Sequence, residues 1–242
     1  MTWRVPPYDR AVDEAVTYVR AKYSAIGVII AGSIVRGEAG PTSDLDVVVV
    51  HEQPWRVRDQ QRFAGVPAEV FVNPPAQIRR YFETEHGEGC PTMAHMIATG
   101  EAIEPVHDTL AALVAEARQW LARPVEISES QLEQRRYGIV DRLDDARDII
   151  TKDPAMASVL LASVVHELIG YSFWKQRTFQ PRRKDAVAAL ATLDPDAATL
   201  VRAWSTAAGH EALVLVEHLA RHVLGVDGFF PWTSERDPVA TD

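Results

Sequence analysis

Hydrophobic residues in the first half of the chain follow two different spacings. In residues 9–23 the hydrophobic residues recur at helical spacing. The apolar face that they form consists of Ala11, Val12, Ala15, Val16 and Val19. Three short runs rich in β-branched residues are typical of buried strands and lie at residues 26–31, 44–50 and 68–73. Helical patterns lie at about residues 56–64 and 75–86. Strands mixed with helices up to Pro124 predict an α/β domain.

Beyond Pro124 the strand pattern ends and helical periodicity takes over. It runs through residues 128–151, 155–177, 184–193 and 196–224, with prolines at or near the breaks. This predicts a second domain of four or five helices, with a loose tail over the last ten or so residues. The predicted fold class is α/β (α+β): a small mixed-sheet domain at residues 1–124, then an all-α helical bundle at residues 125–242.

The composition is that of a soluble globular protein. Hydrophobic residues make up 47 % of the chain and charged residues 24 %. No window approaches the ~20 apolar residues that cross a bilayer, and the N-terminal sequence has no apolar stretch of signal-peptide length. The single cysteine, Cys90, cannot form an internal disulfide, which suits a reducing compartment. We therefore expect a cytoplasmic protein with no membrane partner.

The charge balance of the chain is acidic. It has 25 Lys and Arg against 34 Asp and Glu, a net charge of −9 at pH 7. Proteins that bind nucleic-acid backbones usually carry a basic face. Two acidic clusters, which also suit ordinary solvated helix faces, comprise Glu83, Glu85 and Glu88, and Asp141, Asp144, Asp145 and Asp148. The balance favours a small or cationic partner over a long nucleic acid.

The segment from residue 31 to residue 50 carries the candidate chemistry and reads AGSIVRGEAGPTSDLDVVVV. Because residues i and i+2 of a strand point to the same side, Asp44 and Asp46 are neighbours and Leu45 faces the core. Adjacent carboxylates repel each other and raise a pKa unless a cation lies between them. Mg²⁺, which prefers oxygen ligands, suits such a pair. The alternative is a hairpin turn with two exposed aspartates.

Gly32 and Ser33 follow directly on the first predicted strand, where a short helical turn is expected to begin. A glycine lets a bulky ligand approach the backbone, and the N–H groups at a helix start can bind a phosphate. Carboxylates that hold metal beside such a turn indicate a site for phosphoryl or nucleotidyl transfer. The hairpin alternative does not explain why the Gly-Ser pair directly follows a strand.

This pattern, a Gly-Ser pair and then Asp-Leu-Asp on a strand, resembles the nucleotidyltransferase superfamily of the DNA-polymerase-β type. The resemblance implies a third carboxylate on a later strand, and Glu69 occupies that place. Without the resemblance, Glu69 would be read as an edge-strand glutamate that faces water. The implied catalytic and metal-binding residues are Asp44, Asp46 and Glu69, with two Mg²⁺ ions and with Glu69 as metal ligand or general base. The implied phosphate-binding residues are Gly32, Ser33 and Arg36.

Residues 172–186, which read SFWKQRTFQPRRKDA, resemble the helical half of streptomycin/spectinomycin-type aminoglycoside nucleotidyltransferases. In that family a long helix ends in aromatic residues, and a loop leads to a Lys-Asp pair that opens the next helix. The resemblance implies that Lys184 contacts the phosphates of a nucleotide bound between the two halves. Arg182 and Arg183 depart from the family pattern, so they leave open which cation takes that role.

On the predicted helix 155–177, one face carries Ser163, Glu167, Gly170 and Trp174. Such a face suits either a cleft wall or a helix–helix contact. As a cleft wall, it would offer Glu167 to an amine and Trp174 to a sugar ring of the acceptor. A zinc site at His86, Cys90 and His95 is weakly indicated, because the spacing of these residues is irregular.

Together these features predict an adenylyltransferase-like enzyme that moves AMP from ATP onto a hydroxyl of a small acceptor. The resemblance and the acidic balance favour an aminoglycoside-type antibiotic, which is cationic, and hence a role in antibiotic resistance. Two alternatives stay open. One is a nucleotidyltransferase that acts on a protein or a tRNA, as in toxin–antitoxin systems. The other is a catalytically silent nucleotide-binding module, against which Asp44, Asp46 and Glu69 argue.

Overall fold

The computed structural model describes residues 5–236, so the end of the expected tail, residues 237–242, lies outside the described part. The chain divides into two compact units, one ending at Pro124 and the other beginning at Val125. Together they form the α+β fold expected from the sequence, with a mixed sheet in the first unit and helices in the second.

The first unit is built on a five-stranded sheet with the order β3–β4–β2–β1–β5. Its strands are β1 (Gly27–Ala31), β2 (Leu45–Val50), β3 (Val57–Phe63), β4 (Val66–Asn73) and β5 (Glu101–Ala102). Strands β2 and β4 pair in parallel and the other neighbours pair antiparallel, so the sheet is mixed. The three strands expected from β-branched runs are those at the centre of the sheet.

Helices cover both faces of this sheet. They are α1 (Tyr8–Tyr23), α2 (Pro75–Gly87), α3 (Thr92–Thr99) and α4 (Asp108–Leu121). Helix α1 buries its predicted apolar face against one side, which includes Ile30, Val47 and Val70. Helices α2–α4 pack against the opposite side, around Ile29 and Val48. Burial on both faces explains why β1 and β2 contain continuous β-branched runs.

The prediction of a helix at residues 56–64 is wrong, because this segment is the edge strand β3. Ala64 and Gly65 have φ values of 46° and 84° and form a two-residue turn between Phe63 and Val66, which are paired. Turns with positive φ at both central positions match the twist of a hairpin. The turn therefore sends the chain back as β4 and makes residues 57–63 its antiparallel partner.

Among its described residues, 125–236, the second unit contains helices and no strand. Its helices are α5 (Glu129–Ile149), α6 (Pro154–Lys175), α7 (Ala186–Leu193), α8 (Pro195–Trp204) and α9 (Gly209–Leu224), with a 3-10 turn at Arg183–Asp185. The helical pattern over residues 196–224 comprises two helices, because the chain breaks between Trp204 and Gly209, whose φ is 56°. The helices share one core, centred on residues such as Leu143, Leu168 and Val216.

Helix α6 is long and apolar enough to cross a membrane by length and composition, and no other helix among residues 5–236 is. This corrects the expectation that no window of the chain approaches a membrane span. However, 56 % of its most apolar stretch is buried inside the protein, where Val164 and Leu168 lie in the helical core. Core helices of soluble proteins have the same character, so the helix is weak evidence for a membrane span.

Candidate active site

Strand pairing brings Asp46 and Glu69 side by side. Asp46 is the Cα partner of Glu69 across the parallel β2–β4 pair and of Ala31 across the antiparallel β1–β2 pair. Directly paired residues share a face of the sheet, so the two carboxylates lie on the same side. Asp44 lies just before β2 and two positions before Asp46. The strand register thus places Glu69 beside Asp46, with Asp44 two positions before Asp46.

The electrostatics of Asp46 show that these carboxylates interact. Burial, together with the charges of Asp44 and Glu69, raises the pKa of Asp46 to about 6. Arg36 and Arg58 act in the opposite direction and lower it. A site with this excess of negative charge gains from a cation.

Gly32 makes room for the Asp46 carboxylate. Its φ of +88° lies in the left-handed region, and a Cβ at this position would lie 2.2 Å from Asp46 Oδ2. A side chain would therefore meet both a backbone penalty and a clash. Glycine at this position is required by the close approach of the β1–β2 loop to the carboxylate.

The loop between β1 and β2 is closed by serine hydroxyls. Ser33 is buried, and its Oγ lies 2.9 Å from Ser43 Oγ. Ser43 Oγ also accepts a hydrogen bond of 2.8 Å from the Gly40 backbone N–H. The loop begins with a turn, in which Glu38 N–H donates to the Ser33 carbonyl at 2.8 Å, and not with the expected short helix. Any phosphate-binding donors here are those of a turn.

Comparison with known proteins bears on this part of the chain. Residues 12–88 match the family model of the nucleotidyltransferase domain. This part of the chain is therefore similar to a nucleotidyltransferase domain. The matched region runs from α1 to the last residues of α2 and includes Asp44, Asp46 and Glu69. Domains of this family support nucleoside monophosphate transfer in general, with a nucleotide as substrate.

A structural comparison extends the likeness over most of the chain. The nucleotidyltransferase-like protein from Exiguobacterium sibiricum superposes with a TM-score of 0.51 at 16 % identity, covering 89 % of this chain and 75 % of that one. At this identity the likeness concerns the fold alone. No curated protein matches the chain.

Within the matched region, Glu69 is contacted from the edge strand β3. Gln60 Nε2 donates a hydrogen bond of 3.0 Å to Glu69 Oε1, and Arg58 Nη1 lies 3.9 Å from Glu69 Oε2. Neither residue was expected at the site, because this segment was predicted to be a helix. The available signal was the Ala64–Gly65 pair, which lies shortly before the predicted strand at residues 68–73.

Arg36 lies close enough to the carboxylates to lower the pKa of Asp46. Its Nε also donates a hydrogen bond of 3.0 Å to Glu38 Oε2, and 24 % of its side chain is exposed. The guanidinium is therefore shared between Glu38 and the carboxylates of the site. This placement agrees with a cation that would support the charge of a phosphate.

The carboxylate oxygens of Asp44 and Asp46 are ligands that suit a hard divalent cation. Across residues 5–236, no three His, Cys, Asp or Glu side chains converge as a ready metal-binding group. The fit to Mg²⁺ therefore rests on the Asp44–Asp46 pair and its excess negative charge, with Glu69 held beside it by Gln60. The same finding leaves the zinc alternative at His86, Cys90 and His95 without support, and His86 packs 5.2 Å from the Trp120 ring.

The expected acceptor residues lie in the helical unit and already have partners there. Glu167 forms an ion pair with Arg142 and accepts a hydrogen bond of 3.2 Å from Ser163. The guanidinium of Arg135 lies 3.5 Å above the ring of Trp174. Both arginines belong to α5, so this face of α6 makes a helix–helix contact, one of the two readings left open by its sequence.

The other predicted cations and acids have simpler surroundings. Lys184 is exposed in the 3-10 turn before α7, and Arg182 Nε donates to Asp185 Oδ2 at 2.5 Å. In the acidic stretch of α2, Glu83 and Glu88 are exposed. Glu85, by contrast, accepts a hydrogen bond of 2.6 Å from the Met93 backbone N–H at the start of α3. Glu85 is therefore engaged inside the unit.

Proposed function

We propose that this protein is a metal-dependent nucleotidyltransferase that moves AMP from ATP onto a hydroxyl of a small acceptor. The observation that carries the proposal is the strand register that pairs Asp46 with Glu69, two positions from Asp44. The raised pKa of Asp46 supports it, because this clustering of acids favours a cation. The position of these residues inside the matched nucleotidyltransferase domain supports the type of reaction.

In the proposed reaction, Asp44 and Asp46 would hold the divalent cations, and Glu69 would accept the proton of the acceptor hydroxyl. Two Mg²⁺ ions, when bound, supply the positive charge that offsets the triphosphate and the developing alkoxide. The acceptor oxygen attacks the α-phosphorus in line, and the bond from this phosphorus to the bridging oxygen of pyrophosphate breaks. The turn at Gly32 and Ser33, with Arg36 and Lys184, would bind the phosphates that leave.

An aminoglycoside-type antibiotic is the proposed acceptor class, on the basis of the acidic net charge of −9 and the sequence resemblance over residues 172–186. A polycationic acceptor would need to displace Arg142 from Glu167 and Arg135 from Trp174. These two contacts favour the second candidate, in which the acceptor is a hydroxyl of a protein or a tRNA and does not use this face of α6. Both candidates share the same transfer chemistry.

The test is transfer of radiolabel from α-labelled nucleoside triphosphates to a panel of acceptors, with Mg²⁺ and with EDTA. We expect labelled product only with Mg²⁺, and no product from Asp44→Asn or Asp46→Asn. Asp148→Asn, which changes an exposed aspartate of α5, serves as the matched control and should keep full activity. Transfer by either active-site variant at the wild-type rate would refute the proposal.

The acceptor panel then separates the two candidates. Label on streptomycin- or spectinomycin-like compounds supports the antibiotic acceptor. Label on cellular protein or tRNA, with none on any aminoglycoside, supports the second candidate. Because the donor and the metal are the same in both arms, either result retains the nucleotidyltransferase chemistry.

A further inference from the structure

Strand β3 presents two polar side chains to the Glu69 carboxylate. Gln60 is the direct Cα partner of Glu69 in the antiparallel β3–β4 pair, and its Nε2 donates to Oε1 at 3.0 Å. Arg58 lies two positions earlier on the same face of β3, and its Nη1 is 3.9 Å from the other oxygen, Oε2. Each oxygen of Glu69 thus faces its own partner on the edge strand.

Arg58 is held in place by a second contact. Its guanidinium carbon lies 4.4 Å from the centre of the Phe71 ring, and Phe71 is its Cα partner in β4. A guanidinium over an aromatic face is attracted by the electrons of the ring. Although 61 % of the Arg58 side chain is exposed, its charge is therefore kept beside Glu69.

These contacts limit where the Glu69 carboxylate can point. A glutamate with 28 % of its side chain exposed could otherwise turn toward the Asp44–Asp46 pair or toward water. With Oε1 bound by Gln60 and Oε2 drawn toward Arg58, the carboxylate is directed to β3. The charge of Arg58 also offsets part of the negative charge of the three clustered acids.

We propose that Gln60 and Arg58 are positioning residues that hold Glu69 as a proton acceptor beside the metal-binding aspartates and restrain it from joining them as a further ligand. This inference rests on the proposed nucleotidyl transfer. It assigns to the edge strand β3 the control of both the orientation of the base and the metal affinity of the site. Loss of either side chain would free Glu69 to join the metal ligands, at the cost of its role as a base.

The proposal predicts opposite changes in metal binding and in rate. In Arg58→Ala, removal of a nearby positive charge should lower the Mg²⁺ concentration for half-maximal thermal stabilisation about three- to tenfold, measured without nucleotide. The kcat at saturating Mg²⁺ should fall roughly tenfold or more, since a misoriented base loses part of its contribution. The KM for the nucleotide should stay within about twofold, because the proposal assigns neither side chain a contact with the nucleotide.

Three further variants make the test specific. Arg58→Lys keeps the charge and should restore the wild-type metal dependence. Gln60→Ala should lower kcat about tenfold with a smaller change in metal binding, because it removes an orienting hydrogen bond and no charge. Arg62→Ala is the matched control, since Arg62 lies on the same face of β3 but donates to the Gly65 carbonyl at 3.2 Å, and it should behave as wild type.

The outcomes separate this inference from the proposed function. If the wild type shows neither Mg²⁺-dependent stabilisation nor transfer, the proposed function and the positioning role are both refuted. If the wild type shows both but Arg58→Ala and Gln60→Ala behave like Arg62→Ala, only the positioning role fails. A nucleotide KM raised tenfold or more in Arg58→Ala and recovered in Arg58→Lys would make Arg58 a phosphate contact and would also overturn it. Circular dichroism shows whether each alanine variant folds. If one does not, Arg58→Lys and Gln60→Glu replace the alanine variants, because each retains a long polar side chain. Gln60→Glu should still lower kcat.

Discussion

Replacement of Gly32 tests how closely the β1–β2 loop approaches the carboxylates. In Gly32→Ala, the new Cβ would lie 2.2 Å from Asp46 Oδ2, and φ is +88°. We expect the free energy of unfolding to fall by about 1–3 kcal/mol from the left-handed backbone alone, together with loss of transfer as Asp46 is displaced. Urea unfolding and kcat at saturating Mg²⁺ measure the two effects.

Gly37→Ala is the matched control for this substitution. Gly37 also has a left-handed φ, of +73°, but no atom lies within 4 Å of its Cβ position. It should therefore show the backbone penalty while transfer is kept. If Gly32→Ala retains the same activity as Gly37→Ala, the loop does not contact Asp46 in the working enzyme.

A second prediction concerns the protonation of Asp46. Burial and then the charges of Asp44 and Glu69 raise its pKa from 3.8 to about 6. The folded state therefore binds a proton more readily than the unfolded state, and the metal-free protein should lose stability as the pH rises through this window. Asp46→Asn should not show this loss of stability with rising pH. The Tm of the variant should therefore exceed that of the wild type at pH 7.5 but not at pH 4.

This comparison is made by scanning calorimetry in EDTA. For a protein of this size, a gain of 1 kcal/mol corresponds to a Tm increase of about 2–4 °C. The same series in saturating Mg²⁺ should reverse the order at pH 7.5, because only the wild type gains stability from the ion. A Tm for Asp46→Asn at or below that of the metal-free wild type at pH 7.5 would contradict the prediction.

Strand β3 is linked to helix α1 by hydrogen bonds to Asp59. Its Oδ2 accepts hydrogen bonds from Tyr23 at 2.5 Å, Tyr18 at 2.8 Å and Lys22 at 3.0 Å. Burial would raise the pKa of Asp59, but the hydrogen bonds from Tyr23, Lys22, Gln61 and Tyr18 outweigh it and lower the pKa well below its ordinary value. The carboxylate thus stabilises the pairing of these elements while it is ionised.

The stability that Asp59 contributes should be present above its unfolded-state pKa near 4 and be lost as the pH falls below it. Asp59→Asn should lower the free energy of unfolding at pH 7 by about 1–3 kcal/mol, with a smaller further loss on acidification than the wild type shows. Urea unfolding between pH 7 and pH 2 measures both. Asp145→Asn, on an exposed part of α5, is the control, and an equal acid dependence in wild type and Asp59→Asn would refute the assignment.

The elements that could be read from the sequence are those whose residues experience one uniform environment. Strands β1 and β2 are almost entirely buried, β4 is buried on one face, and the valines and isoleucines of all three predict strands. Strand β3 is an edge strand with five consecutive polar residues at 58–62, which hide its alternation between the two faces. Its contributions to the site, Gln60 and Arg58, were missed for that reason.

The remaining differences have similar local causes. Periodicity continues across the break between α8 and α9, so the sequence pattern alone did not separate them. The acids Asp44, Asp46 and Glu69 could be proposed because their spacing matches a family pattern. The contacts of Glu167 with Arg142 and of Trp174 with Arg135 could not be predicted. Both arginines belong to α5, and only the packing of α5 against α6 forms these contacts.

Replacement of Lys184 tests whether the helical unit takes part in nucleotide binding. If its ammonium contacts the triphosphate, Lys184→Ala should raise the nucleotide KM and lower kcat severalfold, because a charge-assisted contact is worth about 1.5–3 kcal/mol. The Tm should stay within about 1 °C, since an exposed side chain in the 3-10 turn contributes little to folding.

Arg183→Ala is the neighbouring control, as Arg183 is also exposed in the same turn. It should leave both kinetic constants near their wild-type values. Equal constants for Lys184→Ala and wild type would show that Lys184 is a solvated lysine. Equal losses in both variants would indicate a general electrostatic effect of the turn.

The pairing of Asp46 with Glu69 limits where residues can be inserted into this protein. Successive residues of β4 point to opposite faces, so one residue inserted between Val66 and Glu69 would turn Glu69 toward the side covered by α1 and bring an apolar neighbour to the aspartates. An insertion in the connection 51–56 leaves this alternation unchanged. Natural variation in length should therefore accumulate before β3, while the hairpin from β3 to Glu69 keeps a fixed number of residues.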